Sequence, residues 1–323
     1  MSTRYPIWIL SKGRWDSRQT SKTLEMMNIP YRIAVEDQEY DNYAAVIDPK
    51  KVVAMPTDFR ENPLYAISDE NHAAGGGIPA RNFIIETSKN EGNEASWILD
   101  DNIKYFFRLN NNYRTKVTSD ATFRACEDFV DRYENVQISG MQYVFFTPKT
   151  AKRPPYYLNT RVYSCMLLKH NPLYKFRGRY NEDTDLSLRI MKDGHCTILF
   201  NAFLCGKAGT HSMKGGNTEE VYKVGNQAEF DNRYTFAKSL KDQHPDVVEI
   251  VQRYGRWHHF VDYSKFQREN KLILKEGLNI PKGFNEYGMK FAKLNKETIE
   301  AKYSIDNTIE PEDEDCEEIL GED

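Results

Sequence analysis

Apolar residues in this chain come in short runs separated by polar, turn-rich stretches. Seven stand out: 6–10 (PIWIL), 31–35 (YRIAV), 51–55 (KVVAM), 96–99 (SWIL), 136–146 (VQISGMQYVFF), 161–168 (RVYSCMLL) and 197–204 (TILFNAFL). Their length and composition are those of strands. Thr20 to Met27 follows the first run with helical spacing, and Ala80 to Ser88 precedes the fourth. This βαβ rhythm predicts a largely parallel sheet flanked by helices. After about residue 120 the rhythm changes. Phe123, Cys126, Phe129, Val130 and Tyr133 recur at helical spacing, and two longer apolar runs follow with the turn-prone Lys149 to Pro155 between them. The sheet is therefore expected to be mixed.

Residues 218–305 are polar and rich in Lys, Glu and Tyr, with helical periodicity around 227–241 and 244–254 and no strong strand signal. They predict a helical C-terminal extension. The tail, 306–323, lacks the apolar content to fold and is expected to be disordered. The chain thus divides at 1–217, 218–305 and 306–323, without internal repeats.

Charge changes this picture in one respect. The net charge of −4 over 323 residues conceals ten acidic side chains and no basic one within 306–323, which leaves 44 basic against 38 acidic residues over 1–305, a net of +6. A modestly basic body suits a polyanionic partner. The five cysteines, Cys126, Cys165, Cys196, Cys205 and Cys316, show no metal-ligand spacing and mostly lie in apolar runs. They predict reduced thiols in a cytoplasmic protein. No apolar run approaches the ~20 residues of a membrane span, and the first run is too short for a signal peptide.

The candidate chemistry centres on Asp100-Asp101-Asn102, directly after the run Ser96-Trp97-Ile98-Leu99. Two adjacent carboxylates cannot be buried unpaired, so they must emerge at a strand end, where a hard divalent cation could compensate them. Ser11-Lys12-Gly13-Arg14 ends the first run, a place for a nucleotide base or phosphate. Gly75-Gly76-Gly77-Ile78-Pro79-Ala80-Arg81-Asn82 is a glycine loop feeding a helix, without the spacing of a Walker loop or a dinucleotide fingerprint. Asn181-Glu182-Asp183-Thr184-Asp185 opens another helix with three carboxylates, more than capping needs, so at least one is a candidate general base. His211 and Lys214 follow the last run in a glycine-containing loop, able to reach a metal and a phosphate. Cations mixed with aromatics occur at Lys149 to Tyr157 (with Lys152 and Arg153), at Lys175 to Tyr180 (with Arg177 and Arg179), and at Arg253-Tyr254-Gly255-Arg256-Trp257-His258-His259. Such mixtures suit phosphate contacts and stacking on an unstacked base.

In this order, the motifs over roughly 5–216 resemble those of nucleotide-sugar glycosyltransferases of the GT-A fold. More closely, the Ser-Lys-Gly-Arg strand end, the Ala-Arg-Asn helix, Leu-Asp-Asp-Asn and Glu-Asp-Thr-Asp resemble the bacteriophage TET-associated glycosyltransferases. The resemblance implies a Rossmann-like, mixed, mostly parallel sheet. It implies a UDP-sugar donor held by Ser11, Lys12, Gly13, Arg14 and Glu36, with Gly77, Arg81 and Asn82 at the diphosphate. Mn²⁺ or Mg²⁺ would sit on Asp101 and His211, with Asp100 reaching ribose or metal and Asn102 able to share that role. The base would be Asp183 in the Glu182-Asp183 motif, with Asp185 as a competitor. A strict Asp-x-Asp is absent. The implied reaction moves a hexose or pentose to 5-hydroxymethylcytosine in phage DNA, protecting it from nucleases in the host cytoplasm. The alternatives are a protein or glycan hydroxyl as acceptor, a nucleotidyltransferase, and a non-catalytic nucleic-acid-binding protein.

Overall fold

The computed structural model describes residues 3–60, 76–110, 113–148, 153–178, 181–207, 233–253 and 255–278. Along the chain these form β1 (Ile7–Leu10), α1 (Gln19–Met26), β2 (Arg32–Glu36), α2 (Tyr40–Ala44), β3 (Val52–Met55), α3 (Thr57–Arg60), α4 (Ile78–Asn90), β4 (Ala95–Asp100), β5 (Ile103–Asn110) and β6 (Tyr113–Lys116). There follow α5 (Ala121–Val130), β7 (Val136–Tyr143), β8 (Tyr156–Leu158), β9 (Cys165–Lys169), α6 (Glu182–Lys192), β10 (Cys196–Lys207), α7 (Arg233–Gln243), β11 (Val248–Arg253), β12 (Arg256–Val261) and α8 (Ser264–Glu269).

Ten strands make one sheet in the order β3-β2-β1-β4-β9-β7-β10-β5-β6, with β8 on β10 beside this path. β1 to β4, β6, β7 and β10 point one way, and β5, β8 and β9 the other. All seven apolar runs contribute a strand. β5, β6 and β8 lie outside those runs, because Lys104 and Arg108 interrupt the apolar pattern of β5, β6 is short and polar, and β8 is only three residues long.

Strand alternation explains the layering. Ile7, Ile9, Trp97 and Leu99 pack with Leu24 of α1 and with Phe123, Cys126 and Val130 of α5. Trp8 and Ile98 point to the opposite side, where Ile84 and Ile85 of α4 and Leu186 and Ile190 of α6 cover them. With both faces covered, the central strands read as continuous apolar runs.

The C-terminal segment departs from expectation. The helical reading of 227–241 corresponds, over its described part, to α7, but 244–254 is not a helix. It supplies β11, paired antiparallel with β12 from Val248–Val261 to Arg253–Arg256. Gly255, at φ +70° just before β12, takes a left-handed conformation that favours glycine. Leu240, Val247, Val248 and Phe266 join Leu188 and Met191 of α6 in a third cluster. Each such fully buried side chain contributes about 1.5–3 kcal/mol, which fastens the segment to α6. The tail, 306–323, lies outside the described residues.

Candidate active site

β1 pairs with β2 on one side and with β4 on the other, so the strand order reverses at the β1/β4 boundary, where α/β sheets open a ligand crevice at their carboxyl ends. Asp100 ends β4 on the same side as Ile98. Its Oδ1 accepts from Arg81 Nη2 at 3.0 Å, and its Oδ2 accepts from Lys207 Nζ at 2.8 Å and from Ser164 Oγ at 2.6 Å. Three elements therefore converge on one carboxylate: the first turn of α4, the end of β10 and the residue before β9. Burial pushes the Asp100 carboxyl up, but Lys207 and Arg81 outweigh it and hold the group well below the usual carboxylate range. Ser164 adopts φ +56°, a conformation costing of order 1–3 kcal/mol for a non-glycine residue and found mainly where structure over-determines it. Here the Ser164 carbonyl accepts from the Asp100 N–H at 2.8 Å while its hydroxyl also meets Tyr143 and Lys207.

Asp101 has a different set of partners. Its Oδ2 accepts from Ser11 Oγ at 2.7 Å, and its Oδ1 is paired with Arg14. Ser11 Oγ lies 2.6 Å from Tyr43 Oη, which also accepts from the Arg14 N–H at 3.1 Å. Gly13, at φ +65°, donates its N–H to Glu39, and Lys12 pairs with Glu36 at 2.9 Å. Thr20 of α1 fixes the turn between these carboxylates and β5: its hydroxyl donates to the Asp100 carbonyl at 2.6 Å and accepts from the Ile103 N–H at 2.8 Å. Burial pushes the Asp101 carboxyl up against the opposing pull of Arg14 and Ser11. Asn102 is buried, and its Oδ1 has no hydrogen-bond donor among the described residues.

At the start of α6, Asn181 caps the helix at φ +53° and Glu182 pairs with Arg81, which completes a chain Glu182–Arg81–Asp100–Lys207. Asp183 Oδ1 accepts from the Thr184 N–H at 2.7 Å and from Thr184 Oγ1 at 3.2 Å, while Oδ2 has no partner among the described residues. Asp185 points elsewhere. It is 2% exposed and pairs with Arg177, Arg189 and His244, each at 2.9 Å. Asn82 is fully buried: its Nδ2 donates to the Phe176 carbonyl at 2.7 Å and its Oδ1 accepts from the Phe176 N–H at 2.9 Å. At Gly77 a Cβ would stand 2.9 Å from Leu10 Cδ1 and 3.1 Å from Arg81 Nη1, so a side chain there would have to displace the ends of the Leu10 and Arg81 side chains.

The TET-Associated Glycosyltransferase family matches residues 5–216 of this sequence. The chain belongs to that family. Among solved structures it is similar to GalNAc-T7, whose crystal contains UDP, GalNAc and Mn²⁺, with 11% identity, a TM-score of 0.38, and coverage of 64% of this chain and 44% of that one. It is also similar to the mannose-1-phosphate geranyltransferase of Thermus thermophilus, with 10% identity, a TM-score of 0.27, and coverage of 63% and 57%. The chain therefore spans less than two thirds of the length of either. No curated protein sequence matches it.

In this TET-associated glycosyltransferase the fold brings Ser11 and Arg14 to Asp101, and Arg81 with Glu182 to Asp100, two linked sets that meet at the adjacent carboxylates. Two expected residues do not face them. Asn82 is consumed in holding the loop before α6, and Asp185 in a buried ion cluster, so neither is free for a diphosphate or a proton. Arg177 belongs to that same cluster, whereas Arg153 is exposed and donates to Tyr157 Oη at 2.8 Å. His211, Lys214, Lys152 and Arg179 lie outside the described residues.

Among the described residues no three His, Cys, Asp or Glu side chains gather to hold a metal ion. The hard-oxygen donors present do fit Mg²⁺ or Mn²⁺, ions that keep waters and substrate phosphates in their remaining positions. Those donors are the Asp101 carboxylate and the orphaned Asn102 amide oxygen, because Asp100 already accepts three donors. Lys207 and Ser164 were missed in the sequence. Lys207 had a signal, as the first cation after the last apolar run, whereas Ser164 lies inside such a run and had none.

Proposed function

We propose that this protein is a metal-dependent glycosyltransferase that moves a sugar from a UDP-sugar to the hydroxymethyl group of 5-hydroxymethylcytosine in DNA. The observation that carries this reading is the position of Asp183. It leaves one carboxylate oxygen unbonded at the start of α6, one residue from Glu182, which Arg81 ties to Asp100 at the end of β4. A base thus stands beside a cationic and carboxylate-lined crevice suited to a nucleoside diphosphate.

In this reading Ser11, Lys12, Gly13, Arg14 and Glu36 line the nucleotide side, and Arg81 and Lys207 face the diphosphate with Asp100 setting their positions. Asp101 and Asn102 would hold the divalent ion, which supplies charge neutralisation to the departing diphosphate. Asp183 takes the proton of the acceptor hydroxyl, whose oxygen forms the new bond to the anomeric carbon as the bond to UDP breaks. Direct displacement of this kind inverts the anomeric centre. The net charge of +6 over residues 1–305 suits a DNA acceptor.

The test is mass spectrometry of nucleosides from hydroxymethylcytosine DNA incubated with the protein, Mn²⁺ and a mixture of UDP-sugars, beside unmodified DNA and the Asp101→Ala variant. A hexose or pentose mass confined to the hydroxymethylated base and absent with the variant supports the reading. Metal-dependent UDP-sugar hydrolysis without any mass on DNA redirects it to a protein or glycan hydroxyl.

A further inference from the structure

The apolar run 136–146 outlasts its strand. β7 ends at Tyr143, and Val144–Phe146 forms a single 3₁₀ turn beyond the carboxyl end of that strand. The turn is pinned. Thr147 returns its N–H and its hydroxyl to the Val144 carbonyl at 3.0 and 2.9 Å, and Arg114 of β6 donates to the Thr147 carbonyl at 2.7 Å. Phe145 and Phe146 are 43% and 41% exposed and meet edge-on, with ring centroids 5.2 Å apart. A lone exposed phenylalanine is ordinary. Two of them on a fixed turn at the mouth of the crevice present an aromatic surface to whatever enters.

This pair is joined to the carboxylate site ring by ring. Phe146 stacks on Tyr143, with centroids 5.8 Å apart and planes 27° from parallel. The Tyr143 hydroxyl bonds Ser164 Oγ and accepts from Lys207 Nζ at 3.2 Å, the two groups that share Asp100 Oδ2. Tyr163 joins the cluster at 4.5 Å from Tyr143 and 6.5 Å from Phe146, and the Arg161 guanidinium lies over its ring at 5.0 Å. The same segment reaches the start of α6: the Val162 N–H donates to Ser187 Oγ at 3.1 Å, and Ser187 Oγ donates to the Asp183 carbonyl at 2.8 Å. Four consecutive residues, Arg161 to Ser164, therefore connect the turn that carries Asp183, the aromatic cluster and the Asp100 carboxylate.

Cations accompany the rings. Besides Arg161, Lys116 ends β6 with its ammonium 4.3 Å from the Tyr105 ring, and Tyr105, itself 38% exposed, pairs across β5 and β10 with Gly206, the neighbour of Lys207. We propose that Phe145 and Phe146 form the acceptor platform: an unstacked pyrimidine of the DNA lies against their rings, with Arg161 and Lys116 on the flanking phosphates, so that its hydroxymethyl group is presented past Tyr163 to Asp183. The inference rests on the DNA-acceptor reading and adds a surface to it. A base inside a duplex must leave the stack before an enzyme can act on it, and every base has a face that an aromatic ring can receive. Positive charge beside exposed rings favours a strand of nucleic acid over a neutral glycan.

The experiment is fluorescence anisotropy of a labelled single-stranded hydroxymethylcytosine oligonucleotide with wild type, Phe145→Ala, Phe146→Ala, Phe146→Tyr and Lys116→Ala. UDP binding in Mn²⁺ and sugar transfer are measured on the same preparations. Each alanine variant of the pair is expected to weaken the oligonucleotide about tenfold and to raise the acceptor KM, with UDP affinity and donor KM unchanged, and Phe146→Tyr to keep most of the binding. Lys116→Ala is expected to lower the slope of log affinity against log salt by about 0.7, the loss of one phosphate contact on a single strand. An unchanged slope overturns the placing of Lys116 on the backbone. Should Phe146→Ala disturb Tyr143 behind it, Phe145→Ala and Phe146→Tyr carry the same comparison. UDP affinity that falls in Phe145→Ala as far as oligonucleotide affinity does overturns the assignment to the acceptor. Wild type that transfers sugar to the oligonucleotide with an acceptor KM indifferent to Phe145 and Phe146 overturns the platform and leaves the proposed function standing. Wild type that binds UDP but neither binds nor glycosylates the oligonucleotide overturns the DNA reading and the platform together.

Discussion

Asp183 and Asp185 lie two positions apart in the first turn of α6 and have opposite surroundings. Asp183 keeps an oxygen unbonded at the crevice, while Asp185 is buried between Arg177, Arg189 and His244. The two asparagine variants should separate accordingly. Asp183→Asn is expected to lower kcat by about 10²–10⁴-fold with an unchanged melting temperature. Asp185→Asn is expected to lower stability by about 3 kcal/mol, because it leaves cations buried without their partner. Paired chemical denaturation and steady-state kinetics check both.

Lys207 and Arg81 share Asp100 from opposite oxygens. Lys207→Met therefore leaves a carboxylate with one cation where it had two. The expected result is a loss of roughly 3 kcal/mol and a weaker UDP affinity, measured by denaturation and by calorimetric titration of UDP. Unchanged UDP affinity would remove Lys207 from the donor site.

Acid should act through the same carboxylates. Asp100 and Asp185 both titrate below the ordinary carboxylate value, Asp100 through Lys207 and Arg81, Asp185 through its bonds to His244 and Arg177, in each case against burial. The unfolded chain then binds more protons than the folded one. Their contribution is fully present above the unfolded carboxylate pKa of about 4 and is lost as pH falls through the lower folded values. Glu127, pushed up by burial, works in the opposite direction. Melting temperatures from pH 7 to pH 3 should fall for wild type, and less steeply for Asp100→Asn and Asp185→Asn.

Gly140 of β7 has no room for a side chain. A Cβ there would collide with the Cys165 carbonyl oxygen and stand 2.6 Å from Val162 Cγ1. Gly140→Ala is expected to destabilise by about 1–3 kcal/mol or more through forced separation of β7 and β9, read as a lower denaturation midpoint.

Arg14 and Ser11 both bind Asp101. If Asp101 holds the divalent ion, Asp101→Asn should abolish the Mn²⁺ dependence of UDP binding, whereas Ser11→Ala should retain it with reduced affinity. Titration of UDP with and without Mn²⁺ distinguishes the two.

Much of this architecture is legible in the order of residues. Alternation in 96–100 is enough to put Ile98 and Asp100 on one side of β4, and the abrupt change from Leu99 to two carboxylates marks a strand end. The acids opening α6 and the glycine before α4 are local signals too, since they serve the geometry of their own turn. The hairpin at 248–261 was not legible. Val248, Ile250 and Val251 fit a helical as well as a strand period over so short a stretch, and only pairing with β12 decides between them.

The partners of the carboxylates belong to the tertiary structure alone. Arg81, Ser164 and Lys207 are 19, 64 and 107 residues from Asp100, and local periodicity carries no information over such distances. Their meeting depends on β9 and β10 being laid beside β4 and β7 in this strand order. That order likewise turns Asp185, chemically as competent as Asp183, and Asn82 into buried supports: a side chain's type sets what it can do, and the crossing of distant elements sets whether it faces the crevice or holds the wall.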